Sequence, residues 1–144
     1  MNATVLNKYP HIHTGKELDL MLAGKKPLAL FGEEKSLLPD ESFIPERKFS
    51  ASVNAGVIIR DELLLVGGYS TRLKKEVEML YVLYAIKTET WRIPAMMNLL
   101  TEFNTTGQWN ETPERMQGKL LGYTDEENNV WCNRHIQGSL QARC

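Results

Sequence analysis

Nowhere does the chain approach the roughly 18 uninterrupted apolar residues that a membrane span requires. It also lacks a glycine-rich phosphate loop, a His-Glu-x-x-His pair and a Gly-x-Ser-x-Gly elbow, which removes the commonest nucleotide-binding, metalloprotease and serine-hydrolase signatures. Cysteine is scarce: Cys132 and Cys144 are too few for a disulfide framework. The 3 histidines lie near the ends, so no nucleophile, base and orienting group can be assembled from local spacing, and a non-enzymatic role is the expectation. Neither sign of charge is in excess. With 17 basic and 18 acidic residues the net charge is -1, which gives no bulk attraction to nucleic acid or to an anionic membrane. The N-terminal "MNATVLNKYP" has no basic segment followed by an apolar run, so a cytoplasmic location is expected, and the N-x-T triplets at Asn2, Asn104 and Asn110 read as chance matches.

What is present is an ordinary globular composition, 42% hydrophobic and 24% charged over 144 residues, with no repeat, low-complexity tract or linker. A single domain spanning residues 1–144 follows. Thr14 and Glu17 form a capping-box pattern ahead of the Leu18, Met21, Leu22 stripe, and Gly24 sits where a left-handed cap would end that helix. "PLALF" (27–31) reads as a short buried strand, and the acidic, proline-containing stretch after it as a loop anchored by Leu37, Leu38, Phe43 and Ile44. From Phe49 the residues alternate, predicting a strand over 49–60, a polar turn at Arg60–Glu62, and strands over 63–69 and 77–87. The last is apolar on both faces, as a central strand is.

The remainder reads as helices: one with Thr90 as cap and Ile93, Met96, Met97, Leu100 and Phe103 on one face, one opening at Thr112-Pro113, and one with the Thr124/Glu127 capping box. The expected fold is α+β, an antiparallel sheet of three to four strands with one N-terminal and three C-terminal helices packed on one face.

Three sets of residues carry candidate chemistry. His11 and His13 share a side of an extended segment, and Cys132 and His135 share a helix face, so these four are the candidate ligands for a tetrahedral zinc. Trp109 lies in a polar loop, where a tryptophan either folds onto the core or serves as a binding anchor. The acidic residues Glu33, Glu34, Asp40, Glu41 and Glu46 and the basic turn Arg72, Lys74 and Lys75 are patches of opposite sign suited to a charged partner or to a homodimer. "GGYST" (67–71) and "EVE" (76–78) resemble fragments of the ADP-ribosyltransferase aromatic-Ser-Thr-Ser strand and Glu-x-Glu turn. Position 72, however, is Arg where that pattern has serine, and the fragments lie too close for separate strands.

The leading expectation is a small interaction protein that binds another macromolecule, a protein partner above all, as a regulator, an immunity protein or an inhibitor of a bacterial defence system. The alternatives are a metal-binding domain or metal-dependent enzyme built on the His/Cys set, and a small-ligand carrier with its pocket between the sheet and the Met96, Met97, Leu100 face.

Overall fold

The computed structural model of the chain describes residue 13 and residues 15–35, 42–70 and 74–135, without the side chains of 68–70, 134 and 135. Its elements run α1 (Glu17–Leu22), β1 (Leu28–Glu34), α2 (Glu46–Asn54), β2 (Ile58–Ser70), β3 (Lys75–Ile86), a short 3-10 turn (Lys87–Glu89), α3 (Arg92–Thr106), α4 (Glu111–Leu120) and α5 (Asp125–His135). The sheet is antiparallel throughout, in the order β1-β3-β2, and the fold is α+β as the sequence indicates.

β3 is the central strand, and its alternation divides the core in two. Leu83 and Ala85, with Leu28 and Leu30 of β1, pack against Ile93, Met96, Leu99 and Leu100 of α3 and against Leu120 and Leu121 at the end of α4. Val82 and Tyr84, with Ala29 and Phe31 of β1, pack on the opposite side against Met21 of α1 and Phe49 of α2. Helices therefore cover both faces of the sheet, not one. Because Met96 and Leu100 are buried in the first of these clusters, the surface assigned to a carrier pocket is packed core.

The largest correction concerns the strand expected over 49–60: residues 49–54 belong to α2, 55–57 close that helix, and only 58–60 are strand. Phe49 and Val53 are four apart and so fit a helical stripe as well as a pleat; Phe49 is buried and Val53 packs behind it. Gly56 decides the matter. It adopts φ 75°, its N–H bonds to the Val53 carbonyl, and the Val57 N–H bonds to the Ser52 carbonyl, which is a Schellman closure of a helix. The same pair of bonds closes α1 at Gly24, as the sequence suggests, and α4 at Gly122.

Arg60, Asp61 and Glu62 form no turn either: they run through the middle of β2, an edge strand, where polar side chains meet water at little cost. β1 continues to Glu34, so Glu33 and Glu34 are strand residues.

Two caps also differ from expectation. Asn110 caps α4, its side chain accepting the Thr112 N–H at 3.1 Å, and Trp91, not Thr90, precedes α3 with no side-chain bond. α1 starts at Glu17 with Lys16 at the cap position; Thr14 lies outside the described residues. At α5 the capping box is present in both directions, Thr124 N–H to Glu127 Oε1 at 2.8 Å and Glu127 N–H to Thr124 Oγ1 at 3.1 Å.

Candidate interaction surface

The chain between α3 and α4 turns at Gly107 and returns through Trp109, which is half-buried. Its indole meets the Phe103 ring edge-on, centroids 5.2 Å apart, and its Nε1–H donates to Glu114 Oε2. Glu114 is completely buried, and its other oxygen accepts the Nε1–H of Trp131 at 2.6 Å. One carboxylate thus ties the α3–α4 connection to α5 through two indoles. Sequence reasoning singled out Trp109 and overlooked Glu114, because a glutamate in the first turn of a helix is adequately explained by the helix dipole.

In front of Trp109 opens a groove of about 310 Å³ between the end of α3 and the start of α4. Phe103 and Met116, 38% and 51% exposed, stand on its walls, with Pro113 between helix and loop and Glu102 supplying a negative charge. Trp109 is therefore the fixed back wall of a cleft and not a free anchor. Asn104, beside Phe103, donates from Nδ2 to the Val66 carbonyl at 3.0 Å and so joins this surface to the exposed Leu64 and Val66 of β2.

β2 is one of the two edge strands of the sheet, the other being β1, and its hydrogen-bonding parity can be worked out. The Lys87 N–H bonds to the Val57 carbonyl, so by alternation residues 59, 61, 63 and 65 bond to β3 while the main-chain groups of 60, 62 and 64 point outward. That outward edge is interrupted. Asp61 Oδ1 accepts the Glu62 N–H at 2.8 Å, Asn104 occupies the Val66 carbonyl, and Ile58 is wholly buried. A local carboxylate on an edge N–H is a device that discourages strand addition. The available surface is therefore one of side chains.

The charged patches fare differently. Glu33 is buried and accepts Ser42 Oγ–H at 2.6 Å and the Phe43 N–H at 3.2 Å, which fastens the chain before α2 to β1. Asp40, Glu41 and Arg72 lie outside the described residues. Lys74, just before β3, and Lys75, its first residue, are exposed, but Glu76 and Glu78 follow them and Lys35 pairs with Glu78 at 3.8 Å, so the described part of this region carries mixed charge. Tyr69 and Glu76 are register partners in one hairpin, which leaves the two ADP-ribosyltransferase-like fragments on a single pair of strands.

His13 is buried. It stacks on Tyr123 with centroids 4.0 Å apart, and its Nδ1 lies 2.8 Å from the Nζ of the fully buried Lys26, which also donates to the Leu121 carbonyl at 3.0 Å. This explains the residue as a link between the chain before α1 and the end of α4. Cys132 is buried on α5, His11 is outside the described residues, and the His135 side chain is not described. Among the described residues no three His, Cys, Asp or Glu side chains converge as a metal site, and no helix is long and apolar enough to cross a membrane.

On the second face of the sheet, Arg60 bridges Glu46 at 2.8 Å and Glu62 at 3.0 Å, while Tyr84 Oη–H donates to Glu46 at 2.7 Å. Partial burial works to raise the Glu46 pKa, but the hydrogen bonds from Arg60 and Tyr84, with the Arg60 charge, outweigh it and hold the carboxyl below its ordinary 4.5. Burial, reinforced by Glu46, pushes the Tyr84 phenol up. This network joins α2 to the sheet.

Compared with known proteins, the chain matches no family model, and no curated protein or solved structure is significantly similar to it.

Proposed function

We propose that the chain works by binding a protein partner, an apolar side chain of which enters the groove between α3 and α4. The observation that carries this reading is the combination of a rigid back wall with exposed apolar sides. Trp109 is held by the buried Glu114, while Phe103 and Met116 remain in water. A preformed cleft that needs little reordering keeps more of its contact energy as affinity, and aromatic residues in such clefts dominate interface energetics. The β2 edge beside this groove is interrupted, which favours recognition by side chains there over strand addition to β2. A regulator, an immunity protein or an inhibitor of a bacterial defence system needs such a surface and no catalytic group.

The test is affinity capture from a lysate of the chain's own host, comparing the wild type with Phe103→Ala and Met116→Lys. The expected result is a stoichiometric protein partner whose affinity falls by about thirtyfold or more in each variant at unchanged circular dichroism, with the melting temperature unchanged in Met116→Lys and lowered in Phe103→Ala by loss of its contact with Trp109. A partner retained equally by all three proteins would overturn the assignment to this groove, and recovery of nucleic acid as the bound species would overturn the protein partner.

A further inference from the structure

On the face of the sheet opposite that groove lies a second cavity, of about 280 Å³, where α1, β1 and α2 meet. Phe31 and Phe49, packed edge to face with centroids 6.0 Å apart, line it together with Leu18 and Pro45, and the exposed Phe43 stands at its rim. Into this apolar lining the fold places one acid, Glu17, which is only 6% exposed.

Glu17 differs from every other buried glutamate of the described residues. Glu33 is satisfied by Ser42 and Phe43, Glu114 by two indoles, and Glu127 by its capping box. Among the described residues no hydrogen bond or ion pair engages the Glu17 side chain. Lys48, which also lines the cavity, turns its ammonium to the Gly15 carbonyl at 3.5 Å and makes no ion pair with Glu17. The Glu17 carboxylate oxygens are not among the fully buried unpartnered atoms of the described residues, so they meet water and not a partner of the fold. A cation entering the cavity would supply the missing partner, and aromatic walls favour an organic cation over a hydrated inorganic one.

We infer that this cavity binds a small organic ammonium, an apolar body with a single cationic head that pairs with Glu17 while the body packs on Phe31, Phe43 and Phe49. This site is independent of the groove on the other face. Size fits the same class: the volume suits one ring or a short alkyl chain and not a nucleotide.

The probe is 2-phenylethylamine, cationic at pH 7, titrated into the uniformly 15N-labelled full chain beside its neutral analogue 2-phenylethanol. The expected result is saturable shift changes at Leu18, Phe43 and Phe49 and a preference for the amine of about tenfold. Glu17→Gln removes that preference, and because no hydrogen bond or ion pair among the described residues is lost with the charge, it melts close to the wild-type temperature. Phe43→Ala, at an exposed position, weakens amine and alcohol together. Equal affinity for the two probes, an amine preference that survives Glu17→Gln, shifts confined to the Trp109 groove, or no saturation at millimolar amine would each overturn the inference.

Discussion

Replacing Glu114 by alanine removes the only described residue that bonds to two tryptophans at once, and the cost can be worked from the contacts. Hydrogen bonds to a charged group contribute about 1.5–3 kcal/mol each. The Trp131 N–H is left in a buried site with its acceptor gone, whereas the half-buried Trp109 can recover part of its bond from water. Adding about 0.8 kcal/mol for each buried methylene lost gives an expected destabilisation of about 3–5 kcal/mol. Glu114→Gln keeps the shape and one acceptor but presents an amide N–H to one of the indoles, so about half of that loss is expected. Urea unfolding followed by tryptophan fluorescence is the assay. With a slope of about 2 kcal/mol per molar, the alanine variant shifts the midpoint by about 2 M at constant slope. In a Trp131→Phe background the same substitution costs less, because the donor it would orphan is already gone, and the double-mutant cycle measures that coupling. A loss below about 1 kcal/mol for Glu114→Ala, or no coupling to Trp131, would refute the reasoning that this carboxylate organises the groove.

Two further outcomes follow from local geometry. Gly122→Ala is expected to cost more than Gly107→Ala: both positions hold a positive φ, worth about 1–2 kcal/mol against an L side chain, but a Cβ at Gly122 clashes with the Pro27 ring while that at Gly107 meets open space. Equal melting temperatures for the two variants would remove the steric term. Glu46 has a folded pKa below its ordinary 4.5, so its contribution to stability is complete above the unfolded value and is lost as pH falls through the folded one. Glu46→Gln should therefore flatten the acid limb of the stability profile below about pH 4.5 and cost less than about 1 kcal/mol at pH 7, since the side chain is 52% exposed; an acid limb identical to wild type would show that this carboxyl is not linked to folding.

The parts of the fold that could be read from sequence are those set by neighbours in the chain. The Thr124/Glu127 box, the Gly24 closure and the two-sided apolar character of β3 depend on residues a few positions apart, and all are present in the structure. Residues 49–57 went wrong because Phe49, Ala51, Val53, Ala55 and Val57 satisfy a period of two, while the deciding signal, Gly56 in a left-handed closure, is a single residue that is equally at home in a strand bulge. The placement of helices on both faces was hidden for a different reason. β1 and β3 are apolar on both sides, which announces two covered faces, but one of the two elements covering the second face, α2, was misread as a strand.

Of the site, Trp109 was legible as an unusual residue in a polar loop, but its partner was not. Glu114 lies beside Trp109 in sequence, yet what makes it a core residue is Trp131, 17 positions away. The same holds for the four buried glutamates as a group. Glu17, Glu33, Glu114 and Glu127 each look like a polar residue at the end of an element, and burial alone does not separate them. Satisfaction does: three have donors supplied by the fold, so their desolvation is offset within the chain and substitution should read out as stability. Glu17 has none among the described residues, so its substitution should read out as binding and leave stability intact. The contrast between Glu114→Ala and Glu17→Gln in one urea titration thus separates a carboxylate that builds the fold from one on which the fold does not depend.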